Sequence, residues 1–194
     1  MTGEDIFTSK KKKEAFKLKT KGQSITFRLA KEGYYFEGLH FSKGDDGKFK
    51  VKHCPRVESN EYCETCDLFF KARDAKDEAG MRAYKATVNV FYMVLDRVDS
   101  TLKVLQTTMG VQKKLEGYVA TWKEAGKSMT DFDLKLTRTE EAGNYYTLTQ
   151  IDSSISPKLT SIEQDELQKA EEMNLSDFIE DSEDKIDVDN LPPF

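Results

Sequence analysis

The stretch Thr-Val-Asn-Val-Phe-Tyr-Met-Val-Leu at residues 87–95 is the most apolar part of the chain. β-Branched and aromatic side chains dominate it, which predicts a central strand over residues 86–98. The Asp99-Ser100 pair predicts a turn, after which residues 102–108 return as a partner strand. The segment is therefore expected to form the central hairpin of a β-rich fold.

Shorter segments on both sides of this hairpin carry alternating apolar and polar side chains, which predicts further strands. These strands are expected at residues 34–41, 48–53, 132–139 and 145–151, and residues 16–29 are expected to form one or two strands interrupted near Gly22. Helices are expected at residues 64–79, with Gly80 as a stop, and at residues 110–125. Such an order favours a mainly β fold with helices, namely a five-stranded OB-type barrel with an inserted metal-binding subdomain.

Charge divides the chain into a basic body and an acidic tail. Acidic side chains outnumber basic ones twelve to two in residues 161–194, a net charge of −10, whereas the whole chain carries −5. Residues 1–160 therefore carry +5, a distribution typical of nucleic-acid-binding proteins. The predicted organisation is a basic arm at 1–15, a DNA-binding core at 16–156 and a disordered acidic tail at 157–194. A helix within residues 161–173 is expected to be transient, because the charge density argues against packing.

No apolar run is long enough to span a bilayer, and the N-terminal residues lack a signal-peptide pattern. A cytoplasmic location, within the host cell if the chain is phage-encoded, and no membrane partner are therefore expected.

Three cysteines, Cys54, Cys63 and Cys66, make an odd count in a chain without a secretion signal. A metal site is a better interpretation than a disulfide framework. The Cys-x-x-Cys pair brings two sulfurs to one tetrahedral ion, and Cys54 with one histidine would complete a Cys₃His site for one structural Zn²⁺.

The fourth ligand is either His40 or His53, the two histidines of the chain. His53 adjoins Cys54, and adjacent residues on a strand point to opposite faces. His40 is expected to lie across a hairpin from Cys54, with the turn at residues 44–47. His40 is therefore preferred, and His53 remains the alternative. The predicted metal subdomain covers about residues 38–80.

The order His40, Cys54, Cys63, Cys66 resembles the zinc site of the single-stranded DNA-binding protein of T4-like bacteriophages. The resemblance covers roughly residues 8–150 and is loose outside the metal segment. It implies an OB fold and a role in coating single-stranded DNA. It also implies that a short basic arm with Ser and Thr contacts neighbouring protomers on DNA. In this chain the matching arm residues are Thr8, Ser9, Lys10, Lys11, Lys12 and Lys13.

Binding of single strands without sequence preference needs cations along the phosphates and rings that stack on bases. The candidate contacts are Lys17, Lys19, Lys21, Phe27, Arg28, Tyr35, Tyr84, Lys85, Tyr92, Lys103, Lys135, Arg138, Tyr145 and Tyr146. Tyr34 is a further candidate ring, and Arg97 is a further candidate cation. Core packing is the commoner role for any single ring, so the set is more informative than its members.

The C-terminal tip resembles the acidic, Pro-Phe-ending tails with which bacterial single-stranded DNA-binding proteins recruit repair and replication enzymes. Its acidic residues suit a basic rim on a partner, and its apolar residues suit a pocket. The tip comprises Asp187, Asp189, Leu191, Pro192, Pro193 and Phe194.

These patterns together favour a non-enzymatic protein that coats and protects single-stranded DNA in phage replication, recombination and repair. Its expected partners are single-stranded DNA, neighbouring protomers, and replication and recombination proteins bound through the tip. The alternative is a zinc-ribbon adaptor that binds other proteins and carries a tail that mimics nucleic acid. No phosphate-cradling Gly-rich loop or activated nucleophile pattern indicates an enzyme.

Overall fold

A computed structural model describes residues 15–43, 49–141, 144–153 and 156–175 of the 194-residue chain. Within these ranges the strands are β1 (Ser24–Leu29), β2 (Tyr35–Lys43), β3 (Phe49–His53), β4 (Thr87–Asp96), β5 (Thr101–Thr108), β6 (Asp133–Glu141) and β7 (Asn144–Gln150). The helices are α1 (Pro55–Glu58), α2 (Glu64–Asp74), α3 (Glu78–Tyr84), α4 (Met109–Glu124) and α5 (Ser161–Glu172). A short 3-10 turn at Met129–Asp131 precedes β6.

The sheet is antiparallel and is organised around β4, as the apolar stretch predicts. β5 pairs with β4 from Asn89 to Asp96 along one edge. The other edge of β4 is shared, because β2 pairs with its residues 87–91 and β1 pairs with its residues 94–96. The strand order is β3-β2-β4-β1-β6-β7, with β5 beside β4.

The predicted five-stranded barrel is not confirmed. The structure has seven strands in one sheet, and no ladder among the described residues joins β7 to β3 or to β5. The predicted class, β strands accompanied by helices, is correct at the coarser level of a mixed α and β fold.

The predicted helix at 64–79 is two helices, and Gly80 does not end it. Lys76 adopts a left-handed conformation, with φ of 57°, after α2 ends. The Asp77 side chain then accepts a hydrogen bond from the backbone N–H of Gly80 and caps α3. A Cβ at Gly80 would lie 2.8 Å from the Cβ of Ala72, so this glycine permits close packing of α3 on α2.

The main core lies between one face of the sheet and α4. Alternate residues of β4, including Val90 and Val94, pack there with Phe27 of β1 and with α4. The tryptophan, Trp122, stacks on Phe132 at a centroid distance of 4.5 Å. α4 thus closes one side of the sheet, as its predicted apolar face requires.

A second core lies on the opposite face of β4 and β5, and α5 covers it. Met93, Leu95 and Leu102 of the sheet pack with the fully buried Ala170 of α5 and with Leu167. The expectation of an unpacked, transient helix at 161–173 is therefore wrong. The acidic side chains of this segment lie mostly on the solvent side, so its charge density does not oppose packing.

Buried charges fasten α5 to the hairpin of β4 and β5. Glu163, in the first turn of α5, forms an ion pair with Arg97. Arg97 also contacts Asp133, which in turn pairs with Arg28 at 2.7 Å. Asp133 is 2% exposed, and such groups are stable only when each is paired. The network also reaches the preceding segment, because Arg97 donates to the carbonyl of Pro157 and Ser156 donates to Asp133, so this segment is attached to the folded body.

No helix among the described residues is both long and apolar enough to cross a membrane.

Candidate metal centre and nucleic-acid interface

Four buried side chains, from β2, the end of β3 and the start of α2, meet at one point. They are His40, Cys54, Cys63 and Cys66, and their ligand atoms all lie within 4.8 Å of one another. The His40 Nε2 atom lies 3.3 Å from the Cys63 sulfur and 3.5 Å from the Cys66 sulfur. The sulfurs of Cys54 and Cys66 are 3.4 Å apart. Tetrahedral Zn²⁺ with ordinary bond lengths needs ligand separations of about 3.5–3.8 Å. The cluster is compatible with one structural zinc.

Local structure explains why these residues converge. Cys54 follows β3 and is the N-cap of α1, and its position beside β2 is fixed by a hydrogen bond from its N–H to the carbonyl of Gly38. Cys63 is the N-cap of α2, and Cys66 lies in the first turn of that helix. The Cys-x-x-Cys spacing thus places both sulfurs at the start of one helix, facing the strand that carries His40.

The structure decides between the two histidines. His40 belongs to the cluster, and its Nδ1 atom lies 3.1 Å from the carbonyl oxygen of Tyr84. Because a carbonyl only accepts, Nδ1 carries the hydrogen and Nε2 presents its lone pair to the cysteines. His53 points elsewhere and pairs with Glu58. The structure therefore places His40, and not His53, in the cluster, which is compatible with the preferred ligand set.

The thiols differ in their tendency to ionise. Burial opposes ionisation of Cys63, but hydrogen bonds from the backbone N–H groups of Cys66 and Thr65 outweigh it and hold the pKa of Cys63 below its ordinary value. Burial, with the neighbouring Cys54 and Cys63, raises the pKa of Cys66 to about 12. Three adjacent thiolates therefore need a cation at their centre, which is the condition that a divalent metal satisfies.

Gly38 allows the subdomain to pack this closely. A Cβ at this position would lie 2.5 Å from the Cβ of Val57 and 2.9 Å from the Cβ of Cys54. Both contacts are shorter than side chains tolerate. The backbone of β2 can approach Cys54 and α1 only because this residue has no side chain.

A second candidate site is a basic turn, which we define as residues 17–23. The side-chain oxygen of Gln23 accepts hydrogen bonds from the backbone N–H groups of Lys19, at 2.7 Å, and Thr20. Arg138 of β6 donates to the carbonyl of Leu18 at 3.0 Å and lies over the ring of Tyr146. The turn is therefore held in one conformation against β6.

The basic turn concentrates positive charge. Lys17, Lys19 and Lys21 are exposed, and none of them forms an ion pair with a carboxylate of another described residue. Partial loss of hydration lowers the pKa of Lys17, and the positive charges of Arg138 and Lys19 lower this pKa further. Such mutual repulsion is relieved by an anion, so the turn suits a phosphate group.

The remaining predicted cations divide into two groups. Arg28 pairs with Asp133, and Lys103 pairs with Asp96 and Asp99. The side chains of Lys85 and Lys135 are exposed. The first pair of cations stabilises the fold, and the second pair is accessible to a ligand.

The predicted rings likewise separate by burial. Phe27, Tyr92 and Tyr146 are at most 6% exposed and pack in the main core, so they present no face to a base. Tyr35 and Tyr84 are half-buried. Neighbouring residues of a strand point to opposite faces, yet Phe91 and Tyr92 are both buried. Tyr92 packs in the main core, and the ring of Phe91 lies against that of Tyr35 at a centroid distance of 6.2 Å.

Two rings remain largely accessible. Tyr145 is 54% exposed and Tyr34 is 44% exposed. Tyr34 lies against Phe36, at a centroid distance of 4.7 Å, and against the edge of Tyr92. These contacts hold the Tyr34 ring in place while one part of it stays open to solvent.

Two sets of predicted residues lie outside the described residues. They are the arm residues Ser9, Lys10, Lys11, Lys12 and Lys13, and the tip residues Asp187, Asp189, Leu191, Pro192, Pro193 and Phe194. Their roles remain predictions from the sequence.

No protein-family model matches the chain, and the curated proteins gave no significant match.

Proposed function

We propose that this chain is a single-stranded DNA-binding protein that coats and protects single strands during phage DNA replication, recombination and repair. The observation that supports it most directly is the basic turn. Its exposed lysines, Lys17, Lys19 and Lys21, stand beside Arg138 without carboxylate partners among the described residues. Flexible single strands carry one phosphate per nucleotide, and a fixed group of cations can pair with several of these phosphates.

Binding would combine this turn with the accessible rings. Tyr34 and Tyr145 offer faces on which unpaired bases can stack, and stacking of this kind is tolerant of sequence. The Cys₃His centre would hold one structural Zn²⁺ and take no part in chemistry, because all four ligand positions come from the protein. The shared edge of β4 and the double pairing of β1 support an OB-type relationship, which we propose for the sheet.

The chain termini would supply the protein contacts. The arm at Ser9 to Lys13 would contact neighbouring protomers on DNA. The acidic tip, ending at Phe194, would recruit replication and recombination proteins. Both proposals come from the resemblance and from charge complementarity.

A salt titration tests the proposal. The single tryptophan is buried between aromatic rings, so binding should be followed through a fluorescent label on a (dT) oligonucleotide. The logarithm of affinity should fall linearly with the logarithm of salt. The Lys17→Gln/Lys19→Gln variant should lower the slope by about 1.4, which corresponds to two phosphate contacts on a single strand.

The matched control removes two lysines from the exposed side of α4, as Lys113→Gln/Lys123→Gln. It should keep the wild-type slope. A wild-type affinity that does not depend on salt, or duplex bound as tightly as the single strand, would contradict the proposal.

The adaptor alternative is favoured by one observation. Tyr62 is 70% exposed and Leu68 is 38% exposed in the metal subdomain, as expected for a small protein-binding surface. An adaptor should bind no homopolymer, so the same titration separates the two functions.

A further inference from the structure

A second set of unneutralised cations lies beside the metal centre, away from the basic turn in sequence. Lys50 and Lys52 are two residues apart on β3, so their side chains lie on the same face of the strand. Both are exposed. β3 is the edge strand of the sheet, and no other described strand pairs with its outer edge. This edge is therefore accessible to a ligand.

His40 links this strand to a third lysine. Lys52 lies directly opposite His40 in the ladder of β2 and β3. The imidazole of His40 donates to the carbonyl of Tyr84, the last residue of α3. Lys85, which is exposed, follows immediately. His40 is therefore next to Lys52 through the ladder and next to Lys85 through the carbonyl of Tyr84, which brings the two lysines to the same part of the metal subdomain.

The arginines nearby are already neutralised, whereas the lysines are not. Arg56 pairs with Asp67, Arg73 with Asp74 and Arg82 with Glu78. No carboxylate of the described residues pairs with the three lysines beside His40. Their charge is thus available to a ligand, and the helices of the subdomain contribute little net charge to oppose it.

We propose that Lys50, Lys52 and Lys85 form a second phosphate-binding surface, carried by the metal subdomain, for the backbone of a single-stranded nucleic acid. The inference rests on the proposed function. It assigns to the metal subdomain a direct role in binding, in addition to stability. It also explains why His40 is held at Nδ1 by the residue that precedes Lys85, since that contact positions the lysine.

The experiment compares Lys52→Gln/Lys85→Gln with the α4 control Lys113→Gln/Lys123→Gln in the full-length, zinc-loaded protein, using a labelled (dT) oligonucleotide. Each variant loses two positive charges, so long-range effects on net charge cancel between them. The Lys52/Lys85 variant should lower the salt slope by about 1.4, whereas the control should not. Both should retain zinc, because the substituted side chains are exposed and none is a ligand.

The outcomes separate the two proposals. If the wild-type protein binds with a steep salt dependence and the Lys52/Lys85 variant behaves as the control does, the second surface does not exist and the proposed function survives. If the wild-type protein itself shows no salt-dependent binding, the proposed function fails and the inference fails with it. A loss of slope confined to the Lys52/Lys85 variant supports the assignment.

Discussion

Arg97, directly after β4, and Glu163, in the first turn of α5, form an ion pair in which both side chains are at most 5% exposed. The pair joins the C-terminal helix to the hairpin at the centre of the sheet. Glu163 also accepts hydrogen bonds from the backbone N–H and the hydroxyl of Thr160, which caps α5. The carboxylate of Glu163 therefore has two roles: it stabilises the first turn of α5, and it attaches this helix to the sheet.

Replacing this carboxylate should destabilise the protein in a pH-dependent way. Burial opposes ionisation of Glu163, but hydrogen bonds from Thr160 and Arg97 outweigh it and hold the pKa of Glu163 below its ordinary value of 4.5. The carboxylate therefore contributes stability above pH 4.5, and this contribution is lost as pH falls through the lower pKa of the folded state. Glu163→Gln should lower the free energy of unfolding by about 3 kcal/mol at pH 7.

Denaturant unfolding at several pH values measures this effect. The difference between wild type and variant should shrink as the pH drops below 4.5. Glu171→Gln, at an exposed position of the same helix, is the control and should change stability little. An equal loss in both variants would mean that the ion pair contributes nothing specific.

Two C-terminal truncations of different length should change different properties, the first DNA affinity and the second stability. Removal of residues 176–194 leaves α5 in place, takes away seven acidic side chains and should tighten binding to DNA, most clearly at low salt. Removal of residues 157–194 also exposes Met93 and Leu95 and leaves Arg97 without Glu163. The unfolding temperature of this longer truncation should fall by many degrees, because a buried charge and an apolar cluster both lose their partners.

Calorimetry and DNA titration of both truncations provide the test. Equal stability of the two would show that α5 is not part of the core. An unchanged affinity in the shorter truncation would show that the acidic segment does not compete for the DNA-binding surface.

The cysteines should be coupled to the metal and to local folding. Cys63→Ser should lose one zinc per chain and destabilise the subdomain, because metal binding contributes to the free energy of folding. His53→Ala is the control and should keep the metal, since His53 lies outside the cluster. Metal analysis after purification without chelators measures both. Absence of zinc in the wild-type protein would disprove the metal assignment.

Two glycine substitutions should differ in sign. Gly38→Ala would bring a methyl group within 2.5 Å of Val57 and should cost about 1–3 kcal/mol. Gly117→Ala, on the exposed side of α4 with no atom within 4 Å, should stabilise the protein by about 0.5–1 kcal/mol. Zinc content should fall only in the Gly38 variant. A neutral Gly38→Ala would show that α1 can move away from β2 freely.

Much of the fold and of the candidate metal centre could be predicted from local patterns in the sequence. The hairpin of β4 and β5 is predictable because its strands are adjacent and strongly β-forming. Cys63 and Cys66 are predictable as a pair of metal ligands because a spacing of two residues brings both sulfurs to one ion. The choice of His40 over His53 follows from strand alternation and from the turn that the sequence predicts at residues 44–47.

Long-range packing explains what the sequence did not reveal. The capping pattern Thr160 to Glu163 and the apolar Leu167 are visible in the sequence, but the partner of Glu163 lies 66 residues earlier, at Arg97. The burial of Tyr92 depended on α4, and that of Phe27 on the whole main core. Lys50 and Lys52 alternate on β3, yet their relation to His40 requires the ladder register.

The divided edge of β4 has a consequence for how the molecule opens. Three strands take hydrogen bonds from β4, and α4 and α5 cover its two faces. A local fluctuation can release β3 or β7 by breaking one ladder, but it cannot release β4 without disrupting three. The amide hydrogens of Val90 to Val94 should therefore be the last to exchange with deuterated water, at a rate set by global unfolding.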